Sequence, residues 1–290
     1  MAPLIAAVLG LASGVGLWVA LQDVLSVPAL RRLNMAGRVV PVGGGIVLVL
    51  AVVLVAAGDS LASAIRTAPA SPVVPGPLLV AVLGFGFLGL LDDLLESGDA
   101  KGFRGHVAAL SRGQLTTGAV KLVGGALVAL VVAPLRLEAP LPWLLVDGAL
   151  IALSANLANL LDRAPGRLAK VTLVLGVALV VGHLGSQVSI GLAVVLGATA
   201  ALLVPDLRAR VMLGDAGANV VGAALGWAFV SQAGGPARVA ALVVVAALNV
   251  LSERVSFSAV IASTPGLRTL DALGRRTEDR SDEAAGDDAA

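Results

Sequence analysis

Long apolar runs follow one another through most of the chain, at about 3–22, 42–57, 78–95, 115–133, 142–161, 170–184, 188–204, 216–232 and 237–252. A helix crosses the hydrocarbon core of a bilayer with about 20 mostly apolar residues, so these runs are candidate spans. They are continuously apolar rather than alternating, which predicts helices and argues against a barrel. Composition agrees: 58% of the 290 residues are hydrophobic, 13% are charged and the mean hydropathy is +0.96, far from a soluble domain. The expectation is an all-α, polytopic membrane bundle of about nine transmembrane helices over 1–252. A cytoplasmic segment at 253–276 and a disordered acidic tail at 277–290 follow it. The first run has no basic leader and no clear small-residue cleavage site, so it reads as a retained span.

Lysine and arginine set the orientation. With the N-terminus outside, one face receives Arg31, Arg32, Arg38, Lys101, Arg104, Arg112, Arg163, Arg167, Lys170, Arg208 and Arg210. The same face takes Arg254, Arg268, Arg275, Arg276 and Arg280, and the other keeps only Arg66, Arg136 and Arg238. The basic face is the cytoplasmic side of the plasma membrane, and it holds the C-terminus. A net charge of +1 gives no support to a nucleic-acid surface. With no cysteine in the chain, disulfides, thiolate metal sites and cysteine nucleophiles are excluded.

Polar residues at the ends of such runs are costly unless compensated, which makes them candidate functional residues. Asp92 and Asp93 close the third run, Asn156, Asn159 and Asp162 close the fifth, and Gly214-Asp215 opens the eighth. All three clusters fall on the cytoplasmic side and are expected to meet around a divalent cation. On a helix Asn156, Asn159 and Asp162 span about 120° of one face, whereas Asp92 and Asp93 stand about 100° apart. One of that pair is expected to bind the cation and the other to orient a ligand, take a proton or support from behind. Oxygen ligands in a chain with two histidines point to Mg2+ or Mn2+ rather than zinc, and neither His106 nor His183 is expected to bind metal.

Lys121 lies about two turns inside the fourth run and calls for a partner, an aspartate or a phosphate, unless its stem snorkels to the interface. Asp147 is a second deep candidate. The glycines around Asp215 expose backbone N–H groups at a helix start, a favourable place for phosphate. The loop Ser97 to Gln114, with Lys101, Arg104, His106 and Arg112, suits phosphate or anionic lipid. Glycines in Pro41-Val42-Gly43-Gly44-Gly45 allow close backbone approach, to another helix or to a ligand. Gly58 to Pro77 reads as a plain connector. Thr264-Pro265 reads as an N-cap and first helical turn, and Leu267, Leu270 and Leu273 make an amphipathic helix for the inner membrane surface.

The order and spacing of Asp92-Asp93, Asn156-x-x-Asn159-x-x-Asp162, Gly214-Asp215-Ala216-Gly217 and the Pro41–Gly45 turn resemble the polyprenyl-phosphate N-acetylhexosamine-1-phosphate transferases. That superfamily, glycosyltransferase family 4, includes phospho-N-acetylmuramoyl-pentapeptide transferase and the N-acetylglucosamine-1-phosphate transferases. The resemblance implies Mg2+-dependent transfer of a sugar-1-phosphate from a UDP-sugar to polyprenyl (undecaprenyl or decaprenyl) phosphate, with release of UMP, in envelope polysaccharide synthesis. It implies catalytic roles for Asp92, Asp93, Asp162 and Asp215, with Asp93 and Asp215 as metal ligands. Asn156, Asn159, Lys121 and Gly44 would contact substrate.

The chain departs from that pattern in two places, as a divergent, short branch. After Asp162 it reads Arg163-Ala164-Pro165-Gly166-Arg167 in place of Gly-Leu-Asp-Gly, and Glu253–Ser258 carries no histidine motif. Arg163 and Arg167 are expected to supply phosphate contacts instead. Two other functions fit the residues: a catalytically degenerate relative that binds polyprenyl phosphate or scaffolds envelope-building proteins, and, less well, a transporter. A homodimer fits either membrane protein.

Overall fold

The computed structural model describes residues 1–33, 39–66, 71–95, 117–134 and 141–275. Among them are nine helices of 16 residues or more: α1 Ala2–Leu21, α2 Gly44–Arg66, α3 Gly76–Leu95, α4 Thr117–Val132, α5 Leu141–Leu161, α6 Arg167–Gly182, α7 Gln187–Leu207, α8 Gly214–Gln232 and α9 Gly235–Ser252. Two short helices follow, α10 Phe257–Ser263 and α11 Pro265–Ala272. Of the nine, α1, α2, α3, α5, α7 and α9 are long and apolar enough to cross a membrane, and α4 is apolar but shorter. The basic loop at 97–114, Arg38, Arg136, Arg276 and the acidic tail lie outside the described residues.

The helices match the apolar runs, with differences at their edges. α2 continues to Arg66, well past the expected end at 57, because Leu61, Ala62, Ala64 and Ile65 keep favouring helix. The stretch expected to be a plain connector is also tied down: Asp59 accepts a hydrogen bond from the Val73 backbone N–H at 2.8 Å. The loop after α1 is not all helix and coil. Arg31–Leu33 (β1) and Val39–Pro41 (β2) pair antiparallel, with Arg31 opposite Pro41. Thr264 stands at the expected N-cap of α11, but its hydroxyl donates back to the Val260 carbonyl at 2.8 Å rather than capping α11.

The centre of the bundle is built from α7 and α8. The apolar window of α7 is 72% buried, whereas that of α9 is 6% buried. An all-apolar helix is at home in either setting, in a packed core or against lipid. Helices in lipid gain little from apolar burial alone, so close packing of small residues does much of the joining. α1 lies along α7 in this way: a Cβ on Gly10 would overlap the Val194 carbonyl, and one on Gly197 would overlap the Ala7 carbonyl. α8 takes the same approach from both sides, with Gly89 of α3 on its first turn and its own Gly222 on Ser154 of α5.

Near the start of α5, far from Asp162, Arg238 of α9 meets Asp147 at 2.7 Å and lies 4.6 Å from the centre of the Trp143 ring. Asp147 is 1% exposed and Arg238 5%. The deep aspartate is therefore half of a buried ion pair rather than an open polar point on a transport path.

Gly10→Ala tests the α1–α7 packing against Gly16→Ala, where nothing lies within 4 Å of the added carbon. Gly10→Ala is expected to destabilise the detergent-purified protein by about 1–3 kcal/mol. Gly16→Ala should be neutral or stabilising by up to about 1 kcal/mol, both read by thermal unfolding.

Candidate active site at the ends of four helices

α8 begins at Gly214, whose φ of +65° suits glycine alone at this spot, because a Cβ would stand 2.5 Å from the Val42 carbonyl and 2.9 Å from an Asp93 oxygen. The first turn of a helix leaves backbone N–H groups without partners inside the helix. Asp93 supplies them from α3. Its Oδ1 accepts from the Asp215 N–H and its Oδ2 from the Ala216 N–H, each at 3.0 Å. Charge and helix dipole agree there, which favours the arrangement further. Arg32 of β1 donates to the Asp93 backbone carbonyl, so the ribbon is joined to the same corner.

The Pro41–Gly45 turn packs on the strand of loop just before α8. The Met212 N–H donates to the Pro41 carbonyl at 2.8 Å, and the Gly44 and Gly45 N–H groups donate to the Met212 and Leu213 carbonyls at 3.0 and 2.9 Å. Gly44 is thus engaged with backbone, as a tight chain-to-chain contact, and its N–H is not turned to a ligand. A side chain there would press on the Met212 carbonyl.

With Asp93 occupied as a cap, Asp92 is the carboxylate that faces Asp215. Lys121 of α4 joins them: its ammonium is 3.2 Å from Asp92 Oδ2 and also paired with Asp215 Oδ2. Asn159 of α5 donates to the same Asp215 oxygen at 3.2 Å. Four side chains from four helices, α3, α4, α5 and α8, therefore meet at one point. Each of the three charged ones keeps about a fifth of its side chain exposed, 21% for Asp92, 18% for Lys121 and 24% for Asp215. Lys121 does not snorkel; the expected aspartate partners hold it.

Asp162, just past the end of α5, belongs to the same neighbourhood. Burial, and then the charges of Asp206, Asp215 and Asp93, hold its carboxyl well above the ordinary range, against a hydrogen bond from the Gly214 N–H. Asp206 is absent from the residues singled out in the sequence. It sits in the last turn of α7, 3% exposed, and accepts from the Gly166 N–H at 3.0 Å. Its signal was there, an acidic residue closing an apolar run as Asp92 does, next to the basic residues Arg208 and Arg210. Asp162, Arg163, Ala164, Pro165, Asp206 and Met212 line a small recess beside the four-helix point.

Two expected substrate residues are engaged elsewhere. Asn156 donates at 2.7 Å to Asn249 of α9, a residue that sequence alone did not mark. Arg167 is 6% exposed and spends its guanidinium on Asp271 and Ser258, so it is not available to a phosphate in this arrangement. Arg163 remains exposed on the turn.

The donor set bears on the expected metal. Among the described residues no group of three or more histidine, cysteine, aspartate or glutamate side chains is placed to hold a metal ion. Asp92, Asp215 and the amide oxygen of Asn159 still suit Mg2+, which takes one or two carboxylates and completes its shell with waters and substrate phosphates. The chemistry fits a hard cation, with Asp92 rather than Asp93 beside Asp215.

A carboxyl whose folded pKa lies above its unfolded value stabilises the fold at low pH and loses that contribution as pH rises through the folded value. For Asp162 the loss begins above the ordinary aspartate value of about 4. Asp162→Asn is therefore expected to melt higher than the parent at pH 7.5, with the difference closing as pH falls toward 4. Thermal unfolding at a series of pH values reads the crossover.

No curated protein sequence matches the chain. Residues 76–233 match the family described as glycosyl transferase family 4, a stretch that runs from α3 through α8 and includes all four helices that meet at Asp215. Because that match covers more than half of the 290 residues, the chain belongs to glycosyl transferase family 4 and is a multi-pass membrane protein of the transferase class.

Proposed function

We propose that the protein transfers a sugar-1-phosphate from a UDP-sugar to polyprenyl phosphate at the cytoplasmic side of the plasma membrane. The observation that carries this is the meeting of Asp92, Lys121, Asn159 and Asp215 from four separate helices, oxygen donors and one cation in a partly open corner. In the reaction an oxygen of the lipid phosphate bonds to the phosphorus next to the sugar, and the bond from that phosphorus to the oxygen of UMP breaks, UMP leaving with the electron pair. Such transfers run mostly on positioning and charge neutralisation.

Asp92, Asp215 and Asn159 would hold Mg2+, which when bound neutralises phosphate charge. The remaining steps belong to the chain. Lys121 holds the place between the two carboxylates that the cation would take, and once displaced from it the ammonium would meet an incoming phosphate. Arg163, exposed on the turn beside Asp162, is placed to meet the diphosphate. The lipid phosphate has a second pKa near 6 and is mostly dianionic at pH 7, so Asp92 has little proton to remove. Its part is to orient. Asp93 acts one step back, by fixing the start of α8 on which Asp215 stands. With nine spans and the N-terminus outside, counting α4, α6 and α8 beside the six long apolar helices, this corner would face the basic side.

A second function has its own observation. Pro165 stands where the family pattern has an aspartate, and Arg167 is bound to Asp271, which favours a relative that binds polyprenyl phosphate without turnover. The test is purified protein with Mg2+, undecaprenyl phosphate and a panel of radiolabelled UDP-sugars, scored by UMP release and label in lipid. Asp92→Asn and Asp215→Asn are expected to lower kcat by about 10²–10³-fold with melting unchanged. Asp93→Ala should lose turnover and also about 1–3 kcal/mol of stability, since it leaves two buried N–H groups without an acceptor. Lipid-phosphate binding with no UMP from any donor would establish the non-catalytic relative.

A further inference from the structure

The C-terminal helices sit on the turn after Asp162, yet apolar burial does not hold them there. Neither α10 nor α11 has a buried residue, and Leu267, Leu270 and Leu273 are 45%, 64% and 61% exposed. What joins α11 to the bundle is a polar cluster around Asp271. Its two oxygens accept from Arg167 Nε and Nη2, both at 2.8 Å, in the two-pronged geometry that makes arginine–carboxylate pairs strong. Arg275 Nη2 reaches the same carboxylate at 2.7 Å, while its Nε donates to the Pro165 carbonyl at 3.1 Å. Lys170 donates to the carbonyls of Leu270, Asp271 and Leu273 at 3.0, 2.5 and 3.1 Å. Ser258 of α10 accepts from Arg167 Nη1 at 2.8 Å.

Both guanidinium groups are nearly out of water, 6% exposed for Arg167 and 7% for Arg275. Two buried cations side by side repel unless a shared anion lies between them, and removing that anion from a buried pair is strongly destabilising locally. Asp271 is that anion, 11% exposed. Burial raises its pKa, but the hydrogen bond from Arg167 and the charges of Arg275 and Arg167 outweigh burial and hold it below the ordinary carboxylate range. It therefore stays charged at any physiological pH.

We infer that Asp271 is a positioning residue for the candidate site: through Arg167 and Arg275 it clamps the Asp162–Arg167 turn, and with it the recess beside Asp215. The last three residues of the turn are each held: Pro165 by Arg275 on its carbonyl, Gly166 by its N–H on Asp206, and Arg167 by Asp271. Ala164, at the middle of the turn, is 6% exposed. Without Asp271 the two arginines separate, α11 leaves, and the turn that carries Asp162 and Arg163 loosens. The role in positioning substrate rests on the transfer proposed above; the clamp itself does not.

The chain has no cysteine, so A164C gives a single reporter on the turn. In the full-length, detergent-purified protein, A164C is expected to react slowly with a maleimide, and adding D271A to speed the reaction about tenfold, as local opening of that size would. D271E, which keeps the charge, should slow it again toward the A164C rate. In a background without A164C, D271A is expected to raise KM for the UDP-sugar about tenfold with kcat changed less than about twofold, since a misplaced turn weakens donor binding while Asp92, Lys121 and Asp215 keep the contacts they make with one another. Equal labelling with and without D271A overturns the clamp, as does fast labelling of A164C alone. Loss of kcat together with the melting transition overturns the positioning role and leaves only a structural one. If the parent neither binds nor turns over any nucleotide sugar, the proposed transfer falls, and the labelling rates still decide on the clamp.

Discussion

Asp93 holds the candidate site together by a contact between a carboxylate and two backbone N–H groups. A helix that starts inside a membrane protein cannot leave its first amides to water, and here the missing acceptors come from a neighbouring helix. That single cap fixes where α8 begins and therefore where Asp215 points. It also explains why two adjacent aspartates do different work: one carboxylate is consumed by the cap, and the next, about 100° round the helix, is left to face Lys121 and Asp215. The ribbon of β1 and β2 and the Gly44–Gly45 contact are tied by backbone hydrogen bonds to the same corner.

The small residues carry the second constraint. Glycines at the α1–α7, α3–α8 and α5–α8 contacts let backbones approach to distances that a methyl group forbids. The result is a rigid centre, with lysine, asparagine and aspartate brought together at its end from positions far apart in the chain. A corner with charges from three helices, and the Asp162 carboxyl beside it, costs desolvation and repulsion, the causes that hold the Asp162 pKa above the ordinary range. Tight packing elsewhere offsets that cost.

Much of this was legible in the residues. Apolar runs gave most of the long helices nearly to their ends, though not the extension of α2 to Arg66, and the polar residues that interrupt them marked Asp92, Asp93, Lys121, Asn159, Asp162 and Asp215, which do converge. Which of Asp92 and Asp93 faces Asp215 was not legible, because it depends on the position of α8's first turn relative to α3. Gly44 was open between a ligand and a chain contact, and only the neighbouring carbonyls of Met212 and Leu213 decide it. Arg167 was misjudged for a different reason. Its partner lies 104 residues away on an amphipathic helix whose exposed leucines, not its aspartate, drew attention. Asp206 and Asn249 were missed because each is a lone polar residue near the end of an apolar run, a pattern that acquires meaning only beside a second chain segment.

The pair of Arg238 with Asp147 bears on how the protein is made. α9 touches the rest of the bundle sparsely, and most of its surface is left for lipid. Arg238 lies in the first turn of α9 and Asp147 in the second turn of α5, near one end of each helix, where a charge without its partner is costly unless it reaches the interface. Each helix removes the other's penalty once they meet. Synthesis delivers α5 first, so the Asp147–Arg238 pair forms only once α9 follows it. The last long helix is thereby joined to α5 by a buried charge pair as well as by the apolar packing of Ala241, Leu242 and Val245.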